Sequence, residues 1–259
     1  MLRVEIKRAL NSRMFYLTLL LGVAALLPGL YSYLDGRSPA LVALDPFYFN
    51  SYEGWLWAYM DGLMPVAVPL LVTLPAASSY LQDKQTGYLT FLLMRGHRSS
   101  YLRAKIISNF LSGGLSVFIP LLILFAVTYT TLPAGLPKQL RLLEVGAFGF
   151  LLRPAPLLYI LILSGVGFLF GGVYATFALS LSAVTSSRYV VMAAPFVLFH
   201  VANFGLTILR LEHWTPPVVL VPFAVTTTSW VTVLGGLAIP AVISALLLFY
   251  MWRKEFSSA

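Results

Sequence analysis

The sequence contains no cysteine and few charged residues. Without cysteine the chain can form no disulfide and has no thiolate nucleophile. Only 10% of its 259 residues are charged, whereas 59% are hydrophobic and the mean hydropathy is +0.86. A soluble domain normally carries about 25% charged residues, and one soluble core cannot hide so many apolar side chains. Composition therefore predicts an all-α, polytopic membrane protein with the lipid bilayer as its solvent.

The absence of two further features argues against a gradient-driven transporter and against an ATPase. No Asp, Glu, Lys or Arg lies near the centre of a long apolar run, although a gradient-driven transporter usually needs such a group. The sequence also lacks GxxxxGK[ST], so the chain is not an ATPase by the route of that phosphate-binding loop. We predict no catalytic residue, no metal site and no cofactor bound by this chain. The net charge of +8 is not a nucleic-acid signal here, because it follows the predicted membrane topology.

Six apolar stretches are long enough to cross a bilayer. A hydrocarbon core of about 30 Å needs roughly 20 helical residues. The stretches that meet this length are 14–34, 61–82, 106–132, 156–184, 189–209 and 230–252. No internal repeat or linker divides them, so the sequence predicts one transmembrane domain over residues 1–259.

Basic residues are distributed unevenly between the two sides of these six spans. Twelve of the 17 Lys and Arg lie on the side that holds both termini, whereas six of the nine acids lie on the other side. Cytoplasmic segments carry the excess of Lys and Arg in membrane proteins. Both termini are therefore predicted to be cytoplasmic. The first outer loop, residues 35–60, is rich in aromatic residues, which is typical of an interfacial belt.

The first 13 residues form an amphipathic pattern. Apolar residues recur at helical spacing on one face, and charged residues occupy the others. This pattern predicts a cationic elbow helix on the inner leaflet, which serves as an anchor or also contacts a cytoplasmic partner. Glu5 and Arg8 are three residues apart and can pair. The charged residues of this elbow helix are Arg3, Glu5, Lys7 and Arg8.

The loop over residues 83–105 is the most informative segment. It carries five Lys and Arg against one acid, and it therefore cannot lie in a bilayer. Residues 88–94 form an apolar block of about two helical turns, and Gly96 can end this short helix. An apolar helix in a cytoplasmic loop either fills the groove of a partner or dips into the membrane interface.

This loop resembles the coupling loop of ATP-binding-cassette (ABC) exporter permeases of the type-2 class. In that family an acid and a Thr/Ser-Gly pair precede a Leu-rich coupling helix, a basic turn and the start of the third span. The family's acid is often Glu, whereas this chain has Asp83. The opening segment EIKRALNSRMF and the six-span layout resemble the family as well. The matching loop residues are Asp83, Thr86, Gly87, Leu89, Leu92, Leu93, Arg95, Ser99, Tyr101, Ala104 and Lys105.

The resemblance implies a specific assembly. Two permease copies, or this chain and a paralogue, would form the pore above two cytoplasmic ABC ATPase subunits, which hold ATP and Mg²⁺. It also implies a multi-pass location in a bacterial plasma membrane, and the apolar spans fit a hydrophobic or amphipathic cargo such as an antimicrobial peptide, a drug or a lipid. The alternatives are a gradient-driven secondary transporter and a structural membrane subunit. The residues that would contact the ATPase are Asp83, Thr86, Gly87, Leu89, Leu92, Leu93 and Arg95.

Polar and small residues within the spans suggest further contacts. His200 and Asn203 lie about one turn apart in the fifth span. They either hydrogen-bond a neighbouring helix or line the translocation path or the seam between permeases. Gly167, Gly171 and Ala175 form a small-residue stripe in the fourth span, which permits close helix approach. We expect this stripe to pack within the chain, with dimerisation as the alternative.

Overall fold

The structure, a computed structural model, describes residues 1–36, 50–89, 91, 98–133 and 146–256. Within these ranges the chain is built of α-helices and short 3-10 turns, without a strand, which agrees with the predicted all-α class. The helices are α1 (Leu2–Leu10), α2 (Arg13–Asp35), α3 (Ser51–Asp61), α4 (Met64–Leu71), α5 (Ser79–Gln85), α6 (Arg98–Thr131), α7 (Pro156–Leu181), α8 (Arg188–Ile208), α9 (Pro216–Leu220) and α10 (Trp230–Phe256).

Five helices in the described ranges are long and apolar enough to span a membrane: α2, α6, α7, α8 and α10. They match five of the six stretches that hydropathy selects. Helices of this length and composition indicate a membrane protein, as the composition predicts.

The predicted second span, residues 61–82, is not one continuous helix. Helix α3 ends before Gly62, α4 follows for only eight residues, and turns separate α4 from α5. Pro65 lies at the start of α4, Pro69 lies inside it and Pro75 lies in the following turns. Proline lacks the backbone N–H, and its ring clashes with the carbonyl four residues before it, so Pro75 prevents α4 from continuing beyond Leu71. Pro65 is tolerated in the first turn of α4, and Pro69 does not end the helix.

The short helices α3 and α5 lie at opposite ends of the bundle. At the start of α3, the backbone N–H of Ser51 donates to the carbonyl of Pro133, just beyond the C-terminus of α6, at 3.1 Å. Near the end of α5, Asp83 contacts Lys105, close to the N-terminus of α6, at 2.7 Å. The chain from residue 51 to residue 85 therefore runs alongside α6 from one end to the other.

Helix α1 and the C-terminal part of α10 lie at the same end of the bundle as Asp83. Glu5 of α1 is 2.7 Å from Lys105. Met251 of α10 is buried in a hydrophobic cluster that includes Leu89 and Tyr101. We call this end of the molecule the Asp83 end.

Helices α6 and α7 approach each other closely in the core. A Cβ atom built on Gly171 would lie 2.5 Å from the carbonyl oxygen of Gly113. This distance is shorter than any that real Cβ atoms adopt, so only glycine fits here without a shift of the backbone. Gly167 likewise faces Val117 and Leu121 of α6. The small-residue stripe of the fourth span thus packs within the chain, which confirms that expectation.

Two aromatic residues that the sequence assigns to an outer belt instead anchor the core. Trp55 and Tyr59 lie on α3 and are fully buried. The indole N–H of Trp55 donates to the carbonyl of Leu121 at 2.9 Å, and the hydroxyl of Tyr59 donates to the carbonyl of Leu220 at 3.0 Å. Buried Trp and Tyr need such partners for their polar groups. For these two residues the belt interpretation is wrong, because α3 folds back against α2 and α6.

Candidate coupling site

Four charged side chains from α1, α5 and α6 meet at the Asp83 end of the bundle. The Nζ atom of Lys105 lies 2.7 Å from Glu5 Oε2 and 2.7 Å from Asp83 Oδ2. The Nη1 group of Arg8 donates to Asp83 Oδ1 at 2.8 Å. Glu5, Arg8, Asp83 and Lys105 form what we call the charge cluster. The charge cluster joins α1 to α5, where the loop begins, and to α6, where the loop ends.

Three of the four members of the charge cluster are shielded from solvent, and the Arg8 side chain is 42% exposed. Lys105 and Asp83 are each 1% exposed and Glu5 is 7% exposed, whereas Arg8 lies at the edge. The hydroxyl of Tyr101 donates a further hydrogen bond to Asp83 Oδ2 at 2.8 Å. Two carboxylates and two cations balance each other's charge. Removing any one member would leave an uncompensated buried charge, which is costly.

Helical spacing explains how the sequence assembles this cluster. Glu5 and Ala9 are four residues apart and form the buried face of α1. Tyr101 and Lys105 are also four residues apart, so they share one face of α6. Ser12 caps α2 by accepting from the backbone N–H of Phe15 at 3.1 Å. This cap fixes the corner between α1 and α2 and so directs α1 toward α6.

Opposing effects set the ionisation of Asp83. Burial alone raises the pKa of its carboxyl group, but the hydrogen bond and charge of Lys105, with hydrogen bonds from Tyr101 and Arg8, outweigh burial and lower the pKa below its ordinary value. Burial lowers the pKa of Arg8, and its hydrogen bond and charge interaction with Asp83 more than reverse this, so the pKa is raised. Both groups are therefore charged at neutral pH.

We expect the stability that Asp83 contributes to be constant from about pH 5 to pH 8 and to fall only below about pH 4. A carboxyl group whose pKa is lowered by folding stabilises the folded state above its unfolded pKa, about 3.9. That contribution is lost as the pH falls through the folded pKa. Thermal melting of the detergent-purified protein at each pH measures this dependence.

The matched control for the pH experiment is Asp83→Asn, which cannot titrate. Its difference in melting temperature from the wild type should shrink as the pH falls below about 4. A shrinking difference centred between pH 5 and pH 7 would contradict an ionised, ion-paired Asp83.

The described part of the loop presents two aromatic side chains outward. Gly87 has a φ of +74°, a conformation that glycine adopts readily, and Tyr88 and Leu89 are helical immediately after it. Phe91 is 67% exposed and Tyr88 is also exposed, whereas Leu89 is only 8% exposed and packs against Tyr101 and its neighbours. Within the described part of this loop, Phe91 and Tyr88 are therefore apolar groups that face outward.

The structure brings together only some of the residues that the sequence selects. Asp83 lies in the charge cluster and Leu89 lies in the hydrophobic cluster, so both face inward. Thr86 is exposed, and its hydroxyl donates to the carbonyl of Gln82 at 2.9 Å. The remaining predicted loop contacts, Leu92, Leu93 and Arg95, lie outside the described residues.

The structure also brings together only two of the four charged residues that the sequence assigns to the elbow helix. Glu5 and Arg8 enter the charge cluster, while Arg3 and Lys7 are exposed. The predicted Glu5–Arg8 contact is present at 3.9 Å, but the closer partner of Glu5 is Lys105, at 2.7 Å. The sequence analysis named Lys105 as a residue that matches the family's loop pattern, but it did not place Lys105 among the ATPase contacts or predict its pairing with Glu5.

His200 and Asn203 lie on α8, apart from this site. The His200 ring packs edge-on against Phe196, with the centroids 4.4 Å apart, and against Phe199, at 5.1 Å. Among the described residues, no hydrogen-bond partner reaches its buried Nε2 atom. The carbonyl of Asn203 accepts from the hydroxyl of Thr207 within the same helix. A role for either residue in a path or a seam stays a prediction.

A cavity of about 460 Å³ opens between α1 and the loop, directly beside the charge cluster. Arg8 and Asp83 line one part of it, and Val4, Tyr88 and Phe91 line another. The guanidinium of Arg8 also lies over the Tyr88 ring, 5.9 Å from its centroid. The arrangement can accept a side chain that is partly apolar and partly polar.

Comparison with known proteins gives no relative for this chain. No family model, no curated protein and no solved structure matches it.

Proposed function

We propose that this chain is the transmembrane permease subunit of an ATP-driven ABC exporter, coupled to a separate ATPase through residues 83–105. The observation that supports this most strongly is the charge cluster, which joins the elbow helix, the start of the loop and the first turns of α6. Beside it, the side chains of Tyr88 and Phe91 are exposed, although the Arg8 guanidinium lies over one face of the Tyr88 ring. Exposed apolar side chains next to the charge cluster are suited to bind in a groove of a partner subunit.

The proposed topology has six crossings, of which the second is discontinuous. Residues 51–85 run the length of α6 as three short helices, so they can cross together with the five continuous spans. Irregular backbone is tolerated at membrane depth where protein surrounds it, and α3 has the buried residues Trp55, Leu56 and Tyr59. Six crossings place both termini on one side, which the distribution of Lys and Arg assigns to the cytoplasm.

The proposed mechanism transmits a movement of the loop through tightly packed contacts. When ATP and Mg²⁺ on the partner drive closure of two ATPase subunits, each subunit displaces the outward residues of the loop. The charge cluster links Asp83 to α1 and α6, so these helices follow as one unit. The broken segment 51–85 offers short helices that can shift relative to the longer spans. Two copies of this chain, or one copy and a paralogue, enclose the path.

The proposed cargo is hydrophobic or amphipathic: an antimicrobial peptide, a drug or a lipid. The spans offer mainly apolar surface, and charged groups of the described chain gather at its ends rather than its centre. The proposed location is a bacterial plasma membrane. Reconstituted vesicles containing the complex should export such cargo on addition of ATP, and export of hydrophilic solutes alone would contradict this choice.

Phe91→Asp should release the ATPase while leaving the permease folded. A buried aromatic anchor contributes at least about 2 kcal/mol to an interface, which corresponds to roughly a 30-fold loss of affinity. The tagged chain, purified from its native host in mild detergent, should carry a stoichiometric ABC ATPase in the wild type and little in the variant. Mass spectrometry identifies the ATPase by its phosphate-binding loop.

Leu89→Asp is the matched comparison, because its side chain faces inward. We expect this change to lower the melting temperature of the permease itself, whereas Phe91→Asp should not. If no ABC ATPase accompanies the folded wild-type chain, the coupling function is wrong. The chain would then be a gradient-driven transporter or a structural subunit.

A further inference from the structure

A second cavity at the Asp83 end lies between the start of α2, helix α5 and the connection from α7 to α8. Its volume is about 730 Å³, within the range of about 300–1,000 Å³ that is usual for small-molecule sites. It shares Gln82 with the cavity beside the charge cluster, but Arg188, Ser186 and Ser187 line only this one of the two. The proposed contact with an ATPase does not use these residues.

An exposed, hydrogen-bonded arginine contributes to the polar lining of this cavity. The Nε–H of Arg188 donates to Oε1 of Gln85 at 2.8 Å, and Nε2 of Gln85 donates to the carbonyl of Ser186 at 2.9 Å. Gln85 thus bridges α5 to the beginning of α8 and orients the guanidinium. A guanidinium has four further N–H bonds in a planar fork, which suits a phosphate. Ser186 and Ser187 also line the cavity.

The opposite side of the cavity is apolar. Met14, Leu74 and Met192 line it, and none of the described lining side chains is acidic. A free phosphate would leave these apolar side chains without a contact. A ligand with an anionic head and a hydrocarbon tail can contact both the polar and the apolar residues of the lining.

The position of the cavity along the bundle fits the same ligand. Helix α2 begins at Arg13 and α8 begins at Arg188, so two candidate spans start beside it. This end holds most of the Lys and Arg and is the predicted cytoplasmic side. The end of a span lies at the level of lipid headgroups, and basic pockets there attract anionic lipids.

We propose that this cavity binds an anionic phospholipid of the cytoplasmic leaflet. The phosphate lies against the Arg188 guanidinium and the Ser186 and Ser187 hydroxyls. The glycerol backbone and upper acyl chain lie along Met14, Leu74 and Met192. Lipid bound here connects α2, α5 and α8 at the membrane surface. The proposal requires no ATPase, so it stands or fails independently of the export function.

The test is lipid-dependent thermal stabilisation of the full chain, delipidated in a neutral detergent. Dioleoylphosphatidylglycerol is titrated against dioleoylphosphatidylcholine and against inorganic phosphate. We expect phosphatidylglycerol to raise the melting temperature and the other two to have little effect. Arg188→Gln should raise the half-saturating concentration of phosphatidylglycerol about tenfold, because it removes one charge-assisted contact.

Arg253→Gln is the matched control. Arg253 is an exposed arginine near the end of α10 at the same end of the bundle, where it lies over Phe249, and it does not line the cavity. This variant should bind phosphatidylglycerol like the wild type. Equal weakening by both variants would overturn the proposal in favour of general surface charge. Equal stabilisation of the unaltered chain by phosphatidylcholine, or by phosphate alone, would overturn it without any variant.

Discussion

Replacing Lys105 by methionine is expected to cost about 3–5 kcal/mol of folding free energy, the usual cost of removing one partner from a buried ion pair. Methionine preserves most of the length of the side chain, so the loss reports charge rather than volume. Glu5 and Asp83 would then share a buried site with only Arg8 as a counter-ion. Thermal melting in detergent measures the loss, and limited proteolysis after α1 shows whether that helix detaches.

Two further variants make the Lys105 prediction specific. Arg103→Met removes the same charge from an exposed position on the same helix, and it should change stability by less than about 0.5 kcal/mol. The double variant Asp83→Asn/Lys105→Met removes one charge of each sign and should recover much of the loss, because Glu5 and Arg8 remain to balance each other. Equal destabilisation by Lys105→Met and Arg103→Met would contradict the charge cluster as a structural element.

Replacing Gly171 by alanine should destabilise the bundle by about 1–3 kcal/mol, the usual cost of overpacking. The new Cβ would lie 2.5 Å from the carbonyl oxygen of Gly113. Because that neighbour is backbone, no side-chain rotation can relieve the contact, and α6 and α7 must move apart. The melting temperature of the purified chain measures this loss.

Gly165→Ala is the matched control for this change. It lies on the same helix, and a Cβ there meets no heavy atom within 4 Å. Alanine is favoured over glycine in a helix by up to about 1 kcal/mol, so this variant should be neutral or slightly stabilised. If Gly171→Ala is stabilised to the same extent, α6 and α7 do not approach as closely as described.

The predicted second span shows where hydropathy stops being informative. Residues 61–82 are as apolar as the other stretches, so a window of about 20 residues selects them. α4 ends at Leu71, the residue whose carbonyl the ring of Pro75 would meet in a continued helix. The sequence shows this proline, but not its effect, because a proline within α2, α6, α8 or α10 does not end those helices. Pro69 lies within α4 in the same way.

The sequence selects some residues of the candidate site but does not predict their contacts. The sequence selects Glu5, Arg8 and Asp83 through amphipathic spacing and the resemblance of the loop. It does not pair Glu5 or Asp83 with Lys105, because those contacts join residues that are far apart in the chain. It assigns Leu89 to a partner surface, whereas the structure turns Leu89 inward and leaves Phe91 and Tyr88 outside.

The sequence by itself determined that this protein is helical and membrane-embedded, and it located five of its long spans. These properties depend on local composition, because every apolar residue adds to the transfer energy of its own segment. Only the tertiary structure decided which apolar residues are interior, which charges meet and which face of the loop is free. Lipid and protein interior are equally apolar, so hydropathy does not distinguish them. Contacts between distant segments make that choice.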